Sequence, residues 1–403
     1  MAPIFVRIGD NWEEIEDATP RQNNNWRNPH SIRVRVGASW HLVWIGLVPV
    51  VLTTGGVSNY GGTFAHRPTL LTNAWWSKSP TVHSGLFQRG SCYDPVNKYY
   101  YFANIHNAEA NEWQFAKVDR LGNIMYHEVI VDEHESGLSE GIPSLHVHKP
   151  SGDIIVLVSR SMYRINHTNG SVEWRRHHTD ASQHDRQTTG DSDGLIYCHL
   201  GRTNTHRINP TNGSTVWSDN TQARHPDGTD YAYPSCIEAY DDGTNKGVVT
   251  GCAGAASVNG HMTRYSSTGS HLWTIVPRPE YYSRGDDIFG LCFDAGQDTI
   301  YVRFRRYYAR YALSNGAQID EVDIGVTDDR VLGNIRWSGA PGRFYTPYKQ
   351  FSTGTGGSAL RLIEYTGSAG EGVHSLIYAI RHDDLRYIRS ICPDVGVPPA
   401  AYA

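Results

Sequence analysis

The sequence predicts an all-β protein built on a repeated unit. One basis is composition: 24 Tyr, 11 Trp and 40 Gly stand against 4 Met in 403 residues, a mixture that favours strands and tight turns over helices. A second is a period. The lines "FAKVDRLGNIMY", "YRINHTNGSVEW", "HRINPTNGSTVW", "TRYSSTGSHLW" and "ARYALSNGAQID" each carry a basic residue (Lys117, Arg164, Arg207, Arg264, Arg310) at spacings of 47, 43, 57 and 46. That is the length of a propeller blade. The reading is a β-propeller over 85–403, of about six blades. A connecting segment, 46–84, makes a seventh if Val48–Leu71 supplies strands. The third basis is a doubled phrase within residues 1–45, which reads as a small N-terminal β-hairpin docking module.

In that module Ile4, Val6, Arg7, Gly9 and Trp12 align with Ile32, Val34, Arg35, Gly37 and Trp40 at an offset of 28 residues. Each copy alternates Ile-x-Val as a period-2 strand; the glycine permits reversal and the Trp begins the return strand. The polar, Asn- and Pro-rich "TPRQNNNWRNPH" between them reads as a connecting loop. Two hairpins of this size bury too little surface to stand alone and call for a partner. The apolar stretch Leu42–Leu52 contains Gly46 and Pro49 and is too short to span a bilayer, so it reads as a strand and its exit. No basic segment with a cleavage site precedes it, and no secretory address is expected.

Within the repeat, a glycine follows each basic residue by five or six positions (Gly122, Gly170, Gly213, Gly269, Gly316). Asn169-Gly170, Asn212-Gly213 and Asn315-Gly316 are strong hairpin turn pairs. Upstream lie strand-like runs, "YYYFANI", "DIIVLVS", "GLIYCHL", "GVVTGCA" and "TIYVRFR", giving three or four short antiparallel strands per unit. "SLIYAIRHDDLRYIRSI" from Ser375 reads as a last unit.

Two resemblances follow from these phrases. The I-x-V-R-V-G-x-x-W repeat resembles short repeats at the ends of bacteriophage virion proteins, tail-fibre and tail-tip components above all. Trp174, Trp217 and Trp273, each four residues after its turn glycine, resemble the WD40/PQQ-like repeat of quinoprotein-type propellers. That resemblance implies that the indole packs against the neighbouring blade; Tyr126 and Asp320 occupy the same place in two other copies. Quinone-dependent dehydrogenases resemble larger propellers with adjacent cysteines, and the six cysteines here lie far apart. No cofactor is expected.

Other classes are disfavoured on charge and spacing. A net charge of −5 gives no support to a nucleic-acid surface. Without a CxxC pair the cysteines signal neither zinc nor a disulfide framework. His146 and His148 share a strand face, which suits a metal, but with 20 His in the chain such a cluster is expected by chance, and no metal is assigned. Asp193, Asp286, Asp287, Asp328 and Asp329 show no diagnostic spacing for glycan cleavage, and no catalytic residue is named.

The segments after the Trp positions are the longest and most polar. A rigid ring displays such loops side by side as a recognition surface. Their candidate binding residues are His177, His178, His184, Arg224, Tyr231, Tyr233, Tyr281, Tyr282 and Arg284: rings that stack on sugars and guanidinium groups that fork to anions. The resulting expectation is a phage virion structural protein, a tail component (fibre, tip or baseplate) assembled in the host cytoplasm in multiple symmetric copies. Its hairpins would hold other virion proteins, and its propeller would meet a host-surface glycan or protein, with no membrane insertion. The alternatives are a head-decoration or tail-wall protein and a surface-polysaccharide hydrolase or lyase.

Overall fold

The computed structural model describes the strand framework between Ile4 and Pro393, with side chains for most of residues 90–346 and for Ile363. The longer connections at 134–142, 179–186, 227–232, 254–259, 278–287 and 324–334 lie outside the described residues.

The chain begins with three two-stranded ladders: β1 (Ile4–Ile8) with β2 (Asn11–Ile15), β3 (Arg21–Gln22) with β4 (Asn25–Trp26), and β5 (Ser31–Val36) with β6 (Ser39–Ile45). The repeat extends to register. Arg7 lies opposite Trp12 and Arg35 opposite Trp40, and both hairpins close with two residues between the paired ends, Ile8 to Asn11 and Val36 to Ser39. Gly9 and Gly37 fall among the undescribed residues. The connecting stretch, read as loop, carries the short β3–β4 pair. The apolar stretch Leu42–Leu52 is divided between the end of β6 and the start of β7, and among the described residues no helix is long and apolar enough to cross a membrane.

Next come β7 (Val50–Gly55), β8 (Gly62–His66) and β9 (Trp76–Lys78), three strands of blade 1. Blade 2 is β10 (Gly90–Asp94), β11 (Tyr99–Asn107), β12 (Glu112–Val118) and β13 (Ile124–Val131). Blade 3 is β14 (Ser144–Val147), β15 (Ile154–Val158), β16 (Ser161–Ile165) and β17 (Val172–His177). Blade 4 is β18 (Thr188–Gly190), β19 (Ile196–Leu200), β20 (Asn204–Ile208) and β21 (Thr215–Asn220). Blade 5 is β22 (Tyr233–Asp241), β23 (Lys246–Ala253), β24 (His261–Ser266) and β25 (His271–Ile275). Blade 6 is β26 (Ile288–Asp294), β27 (Thr299–Phe304), β28 (Tyr307–Ala312) and β29 (Gln318–Asp323). Blade 7 is β30 (Arg336–Trp337), β31 (Arg343–Lys349), β32 (Ser358–Tyr365) and β33 (His374–His382), and β34 (Tyr387–Pro393) completes blade 1 by pairing with β7.

Among the described residues there are thus seven four-stranded antiparallel sheets. Their first strands touch in a closed cycle, β34, β10, β14, β18, β22, β26, β30 and back to β34, which is a seven-bladed β-propeller. Residues 46–84 supply blade strands. The stretch from Ser375, read as one unit, is divided: β33 is the outer strand of blade 7 and β34 the inner strand of blade 1. Ring closure decides this, because an inner strand placed beside β7 joins the two ends of the ring and removes an unpaired edge.

The core lies in the seams between blades. The second strands β15, β19 and β27 are buried on both faces, so they read as near-continuous apolar runs. In β15, Ile154 and Val156 pack towards Tyr101 and Phe115 of blade 2, whereas Ile155 and Leu157 pack towards Ile196 and Cys198 of blade 4. Each such side chain contributes about 1.5–3 kcal/mol by its burial. Cys198, Cys236, Cys252 and Cys292 are buried free thiols, and burial pushes the Cys236 thiol up to about 12.

Candidate functional site

Each blade is an up-and-down meander, so connections between second and third strands, and from a fourth strand to the next blade, emerge on one face. The other two kinds of turn emerge on the opposite face. The first is here called the loop face and the second the turn face.

The signature residues belong to the turn face, where they latch successive blades. Arg164 and Trp174 lie opposite each other on β16 and β17. Both donate to one acceptor in the turn of blade 4: Arg164 Nη1 and Trp174 Nε1 each lie 2.8 Å from the Pro210 carbonyl. The pattern repeats from blade 4 to blade 5, where Arg207 Nη1 (2.9 Å) and Trp217 Nε1 (3.1 Å) share the Ser267 carbonyl. From blade 5 to blade 6, Arg264 Nη1 (2.7 Å) and Trp273 Nε1 (2.9 Å) share that of Leu313. Lys117 Nζ alone, at 2.8 Å from the His167 carbonyl, does this from blade 2.

The turn glycine completes each latch. Gly213 and Gly269 hold φ of 71° and 92°, a region L side chains avoid. A Cβ there would sit 2.8 Å from the Trp174 ring and 2.9 Å from the Trp217 ring. The spacing of basic residue, glycine and indole is therefore the spacing of one blade's ring and the next blade's turn. Where Asp320 replaces the Trp, the Arg310 guanidinium turns back onto it as a buried ion pair within blade 6.

The described candidate binding residues, His177, His178, Arg224 and Tyr233, belong to the loop face. Inner strands are stitched together at this end: Ser144 Oγ accepts the Thr188 amide at 3.0 Å, Gln187 Nε2 donates to the Ser235 carbonyl at 2.7 Å, and Ser235 Oγ donates to the Ile288 carbonyl. On this rim His177 Nδ1 lies 3.1 Å from Ser161 Oγ, and the His178 amide donates to the Arg160 carbonyl at 2.9 Å. The His178 ring stands 6.5 Å from that of His206. Arg224 is already engaged: its Nε and Nη2 fork onto both oxygens of Asp219 at 2.8 and 2.7 Å. Tyr265 donates to the same carboxylate at 2.7 Å. Burial alone would raise the Asp219 carboxyl, but the bonds from Arg224 and Tyr265 hold it below the usual carboxylate range.

Tyr233 opens β22, opposite Ala253. His184, Tyr231, Tyr281, Tyr282 and Arg284 lie outside the described residues, as do Asp286, Asp287, Asp328 and Asp329. Asp193 lies on the turn face, 2.6 Å from Lys246 Nζ.

His146 lies on β14 while His148 falls one residue past its end, in the turn, and each meets a glycine of blade 4. A Cβ on Gly190 would lie 2.7 Å from His146 Nε2, and one on Gly194 would lie 2.5 Å from His148 Nε2. Burial, with the neighbouring His148 and Lys149, pushes the His146 imidazole down to about 3. Among the described residues no three His, Cys, Asp or Glu side chains gather as metal ligands.

Sequence reasoning did not single out His199. It is wholly buried on β19 with neither ring nitrogen hydrogen-bonded among the described residues, and burial with nearby His206 pushes it down to about 3. Nor did it find the groups at the ring axis, Glu238, Arg336 and Lys149. The one available signal was a glutamate amid "SCIEAY", where a strand is otherwise apolar.

No protein-family model and no curated protein matches the chain. Among solved structures it is similar to Sqt1 of Saccharomyces cerevisiae, at 10% identity over 84% of each chain with a TM-score of 0.52. BamB from Moraxella catarrhalis is similar at 9% identity over 84% of this chain and 91% of that one, TM-score 0.46. Quinohemoprotein alcohol dehydrogenase from Comamonas testosteroni matches 57% of this chain and 42% of its own at 13% identity, TM-score 0.41. The similarity to Sqt1 is one of fold, and fold alone assigns no chemistry.

Proposed function

We propose that the chain is a phage-type virion component, of the tail, whose hairpins at residues 4–45 dock into the particle and whose propeller presents its loop face to the host surface. The observation that carries the reading is polarity. β7 is the second strand of blade 1, so the hairpin segment joins the ring at the turn face, while the His177, His178 and Arg224 segments emerge from the loop face. Attachment and display therefore use opposite ends of a rigid body. The doubled register, Arg7 opposite Trp12 and Arg35 opposite Trp40, supports two equivalent docking elements rather than one. Among the described residues neither hairpin is hydrogen-bonded into a propeller sheet, which leaves their strand edges for a partner.

Recognition on this account comes from weak contacts multiplied across copies. Because Arg224 is committed to Asp219, the aromatic and histidine side chains carry the contact. The test is a chain lacking residues 1–45, supplied during particle assembly. The reading expects a folded propeller that is absent from purified particles; normal incorporation of the truncated chain overturns it.

A further inference from the structure

Three ionic side chains from alternate blades meet where only the ring axis allows it. Glu238 lies on β22, the inner strand of blade 5. Arg336, on the inner strand of blade 7, brings Nη1 to 3.9 Å from Glu238 Oε2. Lys149, in the β14–β15 turn of blade 3, contributes its charge to Glu238 as well. Side chains from blades two places apart in either direction can approach one another only at the axis.

The balance of donors and acceptors there is uneven. Of the surrounding charged and titratable groups, Asp191 (β18–β19 turn), Asp241 and Lys246 (β22–β23) act on Lys149, Cys236 (β22) and Cys292 (β26) interact with Glu238 and Arg336, and Asp294 (β26) acts on Cys292. The carboxylates among them already have donors. Asp191 accepts from the Asp193 and Leu195 amides and the Tyr197 hydroxyl. Asp241 takes Ser192 Oγ and lies 3.6 Å from Lys246 Nζ, and Asp294 takes the Gly342 amide at 2.7 Å. By contrast, Arg336 has five N–H donors and, among the described residues, a lone carboxylate at 3.9 Å, beyond hydrogen-bond length. Lys149 has no hydrogen bond or ion pair among the described residues. The Arg336 side chain keeps 39% of its exposure and Glu238 22%, so solvent reaches both.

We propose that the axis at the level of Glu238 is an anion site, in which Arg336 and Lys149 bind a small oxyanion, carboxylate or sulfate-like, and Glu238 is the internal counter-ion that the anion displaces. Burial pushes the Glu238 carboxyl up to about 7 against the opposing charges of Arg336 and Lys149. Protonated, Glu238 no longer competes for the two cations. Anion binding then tightens as pH falls, by about tenfold from pH 8 to pH 6 for one linked proton.

The test is calorimetric titration of the full-length chain with sulfate and, separately, acetate, neither of which changes charge between these pH values, at constant ionic strength. The proposal expects tighter binding at pH 6 than at pH 8 by about tenfold. It expects loss of binding in Arg336→Gln, and in Glu238→Gln a pH-independent affinity equal to the wild-type value at pH 6 or tighter. If Arg336→Gln does not fold, Lys149→Gln, at a turn position, reads the same loss. Sulfate binding alone marks a tetrahedral ligand, and acetate binding alone a carboxylate; either supports the site. Absence of binding for both anions overturns it and leaves Glu238–Arg336 as a structural ion pair. Equal binding by wild type, Arg336→Gln and Lys149→Gln also overturns it.

Discussion

The latch between blades 4 and 5 makes a quantitative prediction through a double-mutant cycle at Trp217 and Gly269. Gly269→Ala places an L residue at φ 92°, a cost of about 1–2 kcal/mol. It also places a methyl 2.9 Å from Trp217 Cγ, and such overpacking adds about 1–3 kcal/mol. Trp217→Ala removes a half-buried indole and its bond to the Ser267 carbonyl, for about 3–5 kcal/mol. In the double variant the backbone cost persists but the clash has gone, so the combined loss falls short of the sum by about 1–3 kcal/mol. Urea denaturation followed by tryptophan fluorescence and by circular dichroism reads all four corners, with the slope checked for constancy. Additivity within about 0.5 kcal/mol would refute the claim that the glycine exists to receive the indole.

Three further outcomes follow from particular contacts. Trp217→Phe costs only about 1 kcal/mol of hydrogen bonding, because Arg207 still serves the Ser267 carbonyl; a loss equal to that of Trp217→Ala by the same denaturation would contradict the shared acceptor. Asp320→Ala leaves Arg310 buried without its carboxylate and lowers stability by about 3–5 kcal/mol, read as a fall in urea midpoint; an unchanged midpoint contradicts the in-blade pair. Burial lowers the folded-state value of His199 to about 3, below its unfolded value near 6.5, so the unfolded chain binds the extra proton. Its share of stability is complete above about pH 6.5 and declines as pH falls towards 3, by about 2 kcal/mol between pH 7 and pH 5. His199→Leu, whose ring nitrogens have no partner to lose, removes that part of the pH dependence; an unaltered slope between pH 7 and 5 contradicts the buried neutral imidazole.

What was legible in the sequence was what is local. Gly213 and its Asn212 neighbour specify a turn over a few residues, and the alternation of Ile4 and Val6 specifies a strand, so blade period and hairpins could be read directly. The acceptor shared by Arg164 and Trp174 could not. It is a backbone carbonyl at Pro210, in another blade, and any residue type would supply it. The division of the stretch from Ser375 is likewise set by ring closure, since nothing in Tyr387–Pro393 states that its partner is β7. At the candidate surface, residue types in polar loops were visible, but the commitment of Arg224 to Asp219 depends on a fold-imposed rotamer. Glu238 and Arg336 stand 98 positions apart and carry no motif; only the convergence of alternate blades on one axis brings them together.

The most direct test of the proposed bipolar account is cryo-electron microscopy of phage-type particles assembled in the presence of this chain. The account predicts density for residues 4–45 enclosed by neighbouring particle proteins at the turn face, with the loop face bearing His177 and His178 directed outward to solvent. A loop face buried against the particle body, or hairpins folded back onto their own propeller without a partner, would contradict it.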